Sequence, residues 1–591
     1  MCGILGRINF HNPVEINQFT EMLDTMIHRG PDDSGNYFSK DKLVALGHRR
    51  LSIVDLTETG KQPIHNENKT IWLTVNGEIY NANEIRTKLI NSGHVFYTKT
   101  DSEVIVHGYE EWGAGVLDKL KGMFAFAIWD ENKKKMFLAR DRFGIKPLYY
   151  YNDSDCFIFA SEIKAIIKDP TIKRNIDFSS FADFFVYRYI PSPKTIWEDL
   201  HKVPPAHLLE FDADRNVNIK EYWNISPGNL HCSDADAVEK TSILLEQSIK
   251  EHLNSDVKVG CFLSGGYDSS SIVYLLNKLN YKTKVFSVGF ENWNKSETQY
   301  AKIVANKFSM DYHEKILEQN GYDVLEKLMY YYDEPIADIS IIPTYEVCNL
   351  ASLYVKTALS GEGADEIFGG YNWHKSGTEL PVHIMMYRLK NRIFNNQKTF
   401  STDHYKTEMS MGLFGEANLK KMINPFLHNH IHDSYWFYKK HFKPDISGLK
   451  AFQYMDIKCF MAELVLTKMD RASMANSLEV RVPFLDHELV ELLFNFDEKV
   501  YYKKHITKFL IHEMIKNKMP DEILKRKKQG FVGPDKFYKN FKWYKELLLN
   551  GKLISDKIFQ TKFVEEMIGR KDHWRLWKMA VMEIWYSKWK A

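Results

Sequence analysis

The stretch Val257 to Ser270, VKVGCFLSGGYDSS, joins an apolar run to a helical pattern through two adjacent glycines. We predict a buried strand before the glycines and a helix after them, where Ile272, Val273, Leu276 and Leu279 recur at helical spacing. Glycines let a backbone approach a ligand, and the free N–H groups at a helix start attract an anion. The chain has no G-x-x-x-x-G-K-[ST] string, so this is not a Walker A loop. The predicted ligand is a pyrophosphate group, and the plainer alternative is an ordinary strand-to-helix turn.

Cys2 is the second residue that could do chemistry. Removal of Met1 would expose an α-amine with a pKa of about 8, which can take the thiol proton directly or through water. Nucleophile and base would then belong to one residue. The alternative is a small buried residue on a first strand, which is the commoner role of cysteine. The sequence leaves the removal of Met1 open.

Length and composition limit the class of protein. A chain of 591 residues is too long for one core and predicts at least two domains. The 79 Lys and Arg balance 77 Asp and Glu, so the net charge of +2 gives no attraction to nucleic acid. Six cysteines without a C-x-x-C pair indicate neither a disulfide framework nor a zinc site, and favour a reducing cytoplasm. The apolar runs are too short to span a membrane, so we expect neither nucleic acid nor a membrane as partner.

A series of strings follows Cys2: CGILG, HRGPD from His28, RLSIVD from Arg50, NGEIYN from Asn76 and TDSE from Thr100. In this order they resemble the glutaminase domain of class II amidotransferases, which are N-terminal-nucleophile hydrolases. The resemblance implies an α+β fold, a sandwich of two sheets between helices (αββα). The strand-rich stretch 117–150, with a charged hairpin turn at Asp130 to Lys135, agrees with it.

The same resemblance implies the glutamine pocket. Cys2 would attack the amide, and the Asn76 side chain with the Gly77 N–H would form the oxyanion hole. Arg50, not Arg49, would grip the α-carboxylate, and Asp101 would pair with the α-ammonium group. HRGPD would be a loop that shapes the pocket. The residues expected to complete the pocket are Leu51, Ser52, Ile53, Val54 and Glu78.

The second half resembles the ATP enzymes that carry an SGGxDS loop and release AMP and pyrophosphate. Alternating strands and helices predict an α/β domain with a parallel sheet, additional helices, and ligands at the carboxyl ends of its strands. We place the glutaminase domain at 1–205, a proline-punctuated linker and interface at 206–235, and the synthetase domain at 236–591. ATP and Mg²⁺ are the implied substrate and ion. The ATP-binding residues would be Phe262, Ser264, Gly265, Gly266, Asp268, Ser269, Val288, Ser360 and Gly361.

The string SGEGADE from Ser360 supplies further groups by the same resemblance. Asp365 would join Asp268 on Mg²⁺, since two carboxylates without Cys or His suit a hard cation. Glu362 would act beside an acyl-adenylate. Lys508 would steady the charge on departing pyrophosphate, although Lys503 and Lys504 are rivals for that role.

Three other segments have plainer interpretations, and a fourth has none. Glu479 and Arg481 read as a charge pair that braces a helix end beside a proline turn. The basic run Lys525 to Lys528 is either a solvated face or a loop over ATP. The C-terminal stripe of Trp574, Trp577, Val581 and Trp585 predicts a core helix. Residues 375–450 hold no motif that we can interpret.

As a whole, the chain resembles the glutamine-hydrolysing asparagine synthetases. The resemblance implies a cytoplasmic enzyme that adenylates aspartate and amidates it with ammonia channelled from Cys2. One alternative is the same chemistry on another carboxylate, such as a uronic acid of a surface polysaccharide or a β-lactam precursor. An RNA-modifying enzyme would have no use for the Cys2 domain, and an inactive scaffold would have no need of these polar loop residues. The partners are small molecules, and a homodimer is left open.

Overall fold

The computed structural model describes residues 2–293, 295–318, 322–374, 402–409, 411–412, 414–503, 506–526, 528–534 and 538–590. Two antiparallel sheets form the N-terminal part, and a parallel sheet with many helices forms the C-terminal part. Within these residues no helix is both long and apolar enough to cross a bilayer.

The N-terminal part is a sandwich of two six-stranded sheets. The first has the order β10-β8-β9-β1-β3-β2, and the second has the order β12-β11-β7-β6-β5-β4. Their strands are β1 (Gly3–Asn9), β2 (Asp33–Phe38), β3 (Val44–Arg50), β4 (Ile64–His65), β5 (Ile71–Ile79), β6 (Gly122–Asp130), β7 (Lys135–Arg140), β8 (Tyr149–Asn152), β9 (Cys156–Ala160), β10 (Leu200–Lys202), β11 (His207–Phe211) and β12 (Val217–Glu221).

Alternating side chains build the layers of this sandwich. Ile4 and Leu46 of the first sheet and Ala127 of the second belong to the core between the sheets. The outer face of the first sheet is covered by helix Ile16–Asp24, and that of the second by helices including Glu103–Trp112. The predicted αββα architecture and the predicted hairpin between β6 and β7 are therefore confirmed.

The segment 206–235 differs from our prediction of a linker. Strands β11 and β12 lie inside it, and β11 pairs with β7. Leu208 and Leu209 point to opposite faces of the sheet, into two different cores. Because this alternation lasts only a few residues and follows a proline-rich stretch, the sequence pattern does not predict these two strands. Regular strand structure ends at Glu221, and the next helix begins at Asp234.

The C-terminal sheet is parallel and has the order β15-β14-β13-β16-β17. Its strands are β13 (Val259–Phe262), β14 (Lys284–Phe290), β15 (Asp311–Leu317), β16 (Thr357–Leu359) and β17 (Glu479–Arg481). The chain order reverses beside β13, so the loops after β13 and β16 lie together at the carboxyl edge, where such sheets bind ligands. The predicted α/β domain is confirmed.

Helices surround both sheet systems. Gly448–Met455 and Thr467–Met474 are joined by an eleven-residue π-helical segment, Asp456–Leu466, a form that is rare and often found at functional sites. The other α-helices within the described residues are Ala82–Asn91, Val116–Lys119, Ile163–Ile167, Phe178–Tyr187, Asp234–His252, Tyr267–Lys278, Thr298–Lys307, Asp323–Tyr332, Ile341–Ser352, Ala364–Phe368, Thr402–Met409, Glu416–Met422, Trp436–His441, His487–Asn495, Glu498–Tyr501, Phe509–Ile515, Asp521–Leu524, Phe541–Leu549, Lys552–Ser555, Thr561–Gly569 and His573–Trp589.

Two of the plainer interpretations can be compared with this fold. Trp577, Val581 and Trp585 are buried on helix His573–Trp589, as predicted for a core helix, and Trp574 is half-buried. Within the stretch 375–450, the described part after residue 401 is largely helical. Residues 375–401 lie outside the described residues.

Candidate active sites

Cys2 lies at the start of β1 and is only 8% exposed. Its N–H donates to Asn76 Oδ1 at 3.0 Å, and its carbonyl accepts from Arg29 Nε at 3.0 Å. Burial raises the pKa of the Cys2 thiol, although a hydrogen bond from the Leu51 backbone N–H opposes this effect. A thiol with a raised pKa needs a base to become a nucleophile. The α-amine of Cys2 can be that base only after removal of Met1, which lies outside the described residues.

Asn76 and Gly77 are neighbours on β5, opposite Ala125 and Phe124 of β6. Asn76 is fully buried, and its Nδ2 is a buried donor without a hydrogen-bond partner. A Cβ on Gly77 would lie 2.1 Å from the Met123 carbonyl oxygen, so no side chain fits there. A buried and unused donor beside Cys2 is what an oxyanion would require.

Arg50 ends β3, and its guanidinium is held by backbone carbonyls. It donates to the Thr57 oxygen at 2.9 Å and to the Val54 oxygen at 3.3 Å, and it also contacts the Asp55 oxygen. A Cβ on Gly60 would lie 2.1 Å from Arg50 Nη2, so only glycine allows this approach. The guanidinium is thereby fixed in place before any ligand binds.

Glu78 and Asp101 are buried carboxylates at the same pocket. Asp101 Oδ2 accepts the Ile79 N–H at 2.5 Å. Burial raises the pKa of both groups, and Asp101 raises that of Glu78 further. Two neighbouring buried carboxyl groups would pair favourably with an ammonium group on a ligand.

The loop after Arg50 faces the synthetase domain. Ser52 N–H donates to Asp32 Oδ2 at 2.8 Å, and the Ile53 carbonyl accepts the Asp256 N–H at 3.0 Å. Leu51 and Ile53 are buried, whereas Val54 is half-buried. The residues predicted for glutamine binding thus belong to β3, β5 or the loop that follows β3, with one exception. Asp101 precedes helix Glu103–Trp112 and reaches β5 through its hydrogen bond from the Ile79 N–H.

The second site is a cavity of about 690 Å³ at the carboxyl edge of the parallel sheet. Every residue that the sequence assigned to ATP, to Mg²⁺ or to the synthetase reaction lines it: Phe262, Ser264, Gly265, Gly266, Asp268, Ser269, Val288, Ser360, Gly361, Glu362, Asp365 and Lys508. Its volume lies within the usual range for small-molecule sites.

The glycine-rich loop runs from β13 into helix Tyr267–Lys278, as predicted. Gly265 has a φ of +73°, and a Cβ there would lie 2.6 Å from the Tyr300 backbone, so both conformation and space require glycine. Ser269 Oγ accepts the Ser264 N–H at 3.1 Å and closes the loop over the first helical turn. The loop therefore offers a helix N-terminus to an anion.

Lys508 lies between the two predicted metal ligands. Its Nζ is 2.5 and 2.6 Å from the Asp268 oxygens and 2.6 Å from Asp365 Oδ1. Burial alone would lower the pKa of Lys508, but these carboxylates outweigh it and hold the pKa above its ordinary value. Two carboxylates that already converge on one positive charge form an all-oxygen donor set suited to Mg²⁺. Lys503 instead pairs with Asp234 at 2.8 Å on the surface, and Lys504 lies outside the described residues.

The lining of the cavity contains both apolar and acidic side chains. Phe262, Phe286 and Val288 form an apolar side that suits a nucleobase. Glu362 is half-buried at the start of the second loop, and burial raises the pKa of its carboxyl. An apolar slot, an anion-binding loop and a poised carboxyl group thus line one cavity.

Three further groups of this cavity were not assigned from the sequence. Arg526 donates to the Ser264 carbonyl at 3.1 Å and pairs with Glu297, while Lys528 pairs with Asp365. Burial raises the pKa of Glu297 to about 7. The sequence shows the basic run, but only the fold reveals that Arg526 and Lys528 contact the SGGYDS and SGEGADE loops. Lys527 lies outside the described residues.

Gly370 provides a steric test of the cavity. A Cβ there would lie 2.0 Å from Asp365 Oδ1 and 2.2 Å from Lys508 Cε, so Gly370→Ala must displace both groups. We expect a loss of about tenfold or more in ATP-dependent kcat/KM, measured as AMP release, with glutaminase activity unchanged. Gly530→Ala is the matched control, since Gly530 lines the same cavity but its added Cβ would meet only Val532 at 3.7 Å. Equal activity in both variants would contradict this geometry.

A buried ionic layer joins the two domains. Arg29, which donates to the Cys2 carbonyl, also makes a bidentate pair with Asp470 at 2.9 and 3.0 Å. The neighbouring Met469 lines the cavity at the carboxyl edge of the parallel sheet. One arginine and one aspartate therefore link the candidate nucleophile to the wall of the other site.

The predicted charge pair of Glu479 and Arg481 forms a second connection between the two domains. Arg481 Nε lies 2.6 Å from Glu479 Oε1. Arg481 donates to the carbonyls of His252 and Asn254 at the end of helix Asp234–His252, so the predicted bracing of a helix end is confirmed. It also lies 3.4 Å from Glu78 of the glutaminase pocket. The sequence does not predict this contact between Arg481 and Glu78 across the domain interface.

Comparison with known proteins gives a family for the whole chain. Residues 1–223 match the model for a glutamine amidotransferase domain, and residues 240–587 match the model for asparagine synthase. The chain is 32% identical to glutamine-hydrolyzing asparagine synthetase 1 of Bacillus subtilis (strain 168), over 99% of this chain and 96% of that protein. It is 37% identical to putative glutamine-hydrolyzing asparagine synthetase 2 of Methanocaldococcus jannaschii, over 64% of this chain and 77% of that protein. It is also 28% identical to amidase chry2 of Gibberella zeae, over 91% of this chain and 90% of that protein. The chain therefore belongs to the family of glutamine-hydrolysing asparagine synthetases.

Proposed function

We propose that the protein converts aspartate to asparagine with ATP and glutamine, releasing AMP and pyrophosphate. The observation that carries the proposal is the single cavity in which the SGGYDS loop, the SGEGADE loop and Lys508 meet. Family membership supports the acceptor, because relatives along most of the chain are named asparagine synthetases.

The glutaminase half-reaction would begin at Cys2. Its thiolate attacks the glutamine amide, the Asn76 Nδ2 and the Gly77 N–H stabilise the oxyanion, and ammonia leaves as the thioester forms. Arg50 would bind the α-carboxylate, and Asp101 the α-ammonium group. Water then releases glutamate and restores the thiol.

The synthetase half-reaction would activate the acceptor. The side-chain carboxylate of aspartate attacks the α-phosphorus of ATP, pyrophosphate leaves, and ammonia then displaces AMP from the resulting mixed anhydride. Lys508 would neutralise charge on the departing pyrophosphate, and Glu362 would accept a proton from the attacking ammonia. Asp268 and Asp365 would hold Mg²⁺, which when bound supplies further positive charge to the phosphates.

Ammonia transfer between the sites would run through the buried interface. Ammonia reacts only while unprotonated, so a path that excludes water preserves it. The contact of Arg29 with both the Cys2 carbonyl and Asp470 supports a short internal route, because Met469 beside Asp470 reaches the second cavity.

A direct assay tests the acceptor and the products. Full-length protein would be incubated with ATP, Mg²⁺, ammonium and one carboxylate at a time: aspartate, glutamate or a uronic acid. We expect one AMP and one pyrophosphate per asparagine, and at least about tenfold lower kcat/KM for glutamate, which is one methylene longer. Formation of ADP and phosphate, or no AMP with any acid, would contradict the proposal. Turnover of a uronic acid but not aspartate would favour the alternative acceptor.

A further inference from the structure

A cluster of Glu67, His94, His107 and Glu110 lies on the helical side of the second sheet, and none of these residues belongs to either site described above. Their candidate ligand atoms all lie within 4.8 Å of one another. Glu67 lies in the turn between β4 and β5, and His94 follows helix Ala82–Asn91. His107 and Glu110 are three residues apart on helix Glu103–Trp112 and share one face.

The distances within the cluster match those between ligands of one small ion. His94 Nδ1 is 3.3 Å from Glu67 Oε1, and His107 Nδ1 is 3.5 Å from Glu67 Oε2. In a tetrahedral site with bonds of about 2.1 Å, neighbouring ligand atoms are about 3.4 Å apart. Both imidazoles therefore approach Glu67 with the same nitrogen and at a suitable separation.

The orientation of His107 is the independent sign of a ligand. Its side chain is fully buried, and Nδ1 is a buried atom without a hydrogen-bond partner. Its other nitrogen, Nε2, lies 3.3 Å from Glu103 Oε1. Because an ionised carboxylate only accepts hydrogen bonds, a neutral His107 that donates from Nε2 to Glu103 would direct the lone pair of Nδ1 into the cluster.

A carboxylate that fixes a histidine in this way is typical of metal sites. Glu103 is itself held by the N–H groups of Tyr97 at 2.9 Å and Thr98 at 2.8 Å. His94 also has a carboxylate near its Nε2, but the separation is longer: Nε2 lies 3.6 Å from Glu111 Oε2. Both histidines thus turn one nitrogen to a supporting carboxylate and the other to Glu67.

We infer that Glu67, His94, His107 and Glu110 bind one divalent transition-metal ion, with Zn²⁺ as the ion that two imidazoles and two carboxylates suit best. Glu67 and Glu110 are exposed, so the ion can enter from solvent. Four protein ligands leave no open position, so the role is structural and not catalytic. The ion would join the β4–β5 turn to the helix that begins two residues after Asp101, and so stabilise that side of the glutamine pocket.

The test uses the tag-free full-length Cys2→Ala protein, so that the thiol does not compete for metal. After treatment with EDTA and desalting, it is titrated with Zn²⁺ by calorimetry in excess Mg²⁺, which occupies the hard-cation donors. We expect one Zn²⁺ per chain, binding at least about tenfold weaker in Glu67→Gln and His94→Gln, and a midpoint of thermal unfolding that rises with Zn²⁺ only when the site is intact. His11→Gln is the matched control, because His11 is an exposed histidine of the same domain.

Equal Zn²⁺ affinity in the parent and in the Glu67→Gln, His94→Gln double variant would overturn the inference. So would a parent that binds no Zn²⁺, which would leave the cluster as a set of His–Glu ion pairs. X-ray absorption of the Zn²⁺-loaded parent needs no variant at the cluster. Two imidazole and two oxygen ligands are expected there, and an all-oxygen shell would contradict the assignment.

Discussion

Cys2→Ala is expected to abolish glutamine-dependent amidation, by about a thousandfold or more in kcat, and to leave ammonia-dependent amidation intact. The reason is that the variant loses the nucleophile and keeps the synthetase cavity, to which Cys2 contributes no lining atom. Cys156, the other cysteine of the sandwich, cannot replace it, because it is buried on β9 and burial raises the pKa of its thiol to about 12.

The measurement compares AMP release with glutamine and with ammonium chloride as nitrogen sources. Cys232→Ala is the control, since Cys232 is a half-buried cysteine in the segment between the two domains. It should retain both activities. Loss of both activities in Cys2→Ala, with the fold intact by circular dichroism, would show that the assigned division of labour between the domains is wrong.

Lys508→Met is expected to lower ATP-dependent kcat by about a hundredfold to a thousandfold while glutaminase activity persists. The substitution leaves an unbranched side chain of similar length and removes the charge that lies 2.5 to 2.6 Å from Asp268 and 2.6 Å from Asp365. Two half-buried carboxylates would then face departing pyrophosphate without their lysine. Lys508 also has a φ of +53°, so its backbone is held in a strained conformation that positions it at the start of helix Phe509–Ile515.

Lys503→Met is the matched control for the charge itself. Lys503 lies five residues away and pairs with Asp234 at 2.8 Å, outside the nucleotide cavity. Its loss should change kcat by no more than about twofold, because a surface ion pair contributes little. Rates of pyrophosphate release with ammonia as nitrogen source measure both variants. Similar losses in the two would contradict the position assigned to Lys508.

The two-domain plan and both candidate sites could be predicted from the sequence because their motifs are local. A Ser/Gly loop between an apolar strand and a helix predicts an anion site wherever it folds, and SGGYDS and SGEGADE both line the cavity. Of the glutaminase strings, CGILG, RLSIVD and NGEIYN lie on or just after β1, β3 and β5, whereas HRGPD precedes β2 and TDSE leads into helix Glu103–Trp112. In such short motifs the same few residues set both the backbone conformation and the reactive groups, so they are enough to predict a site.

Other features were decided only by tertiary structure. The sequence predicts a linker where strands β11 and β12 lie, because the alternation of apolar and polar residues there is short and only the neighbouring strands of the sheet show which face is buried. The contacts of Arg29 with Asp470, and of Glu78 with Arg481, join residues about four hundred positions apart. No local pattern encodes such a pairing, since each partner alone reads as an ordinary charged residue.

The cluster of Glu67, His94, His107 and Glu110 gives the same lesson for a binding site. Its members have no spacing typical of a metal motif, and only the packing of a turn and two helix regions brings them within 4.8 Å. The sequence by itself determined the chemistry at the loop tips, because strand, glycine turn and helix are set by neighbouring residues. The fold decided which distant charges meet, because burial forces each of them to find a partner that chain order does not reveal.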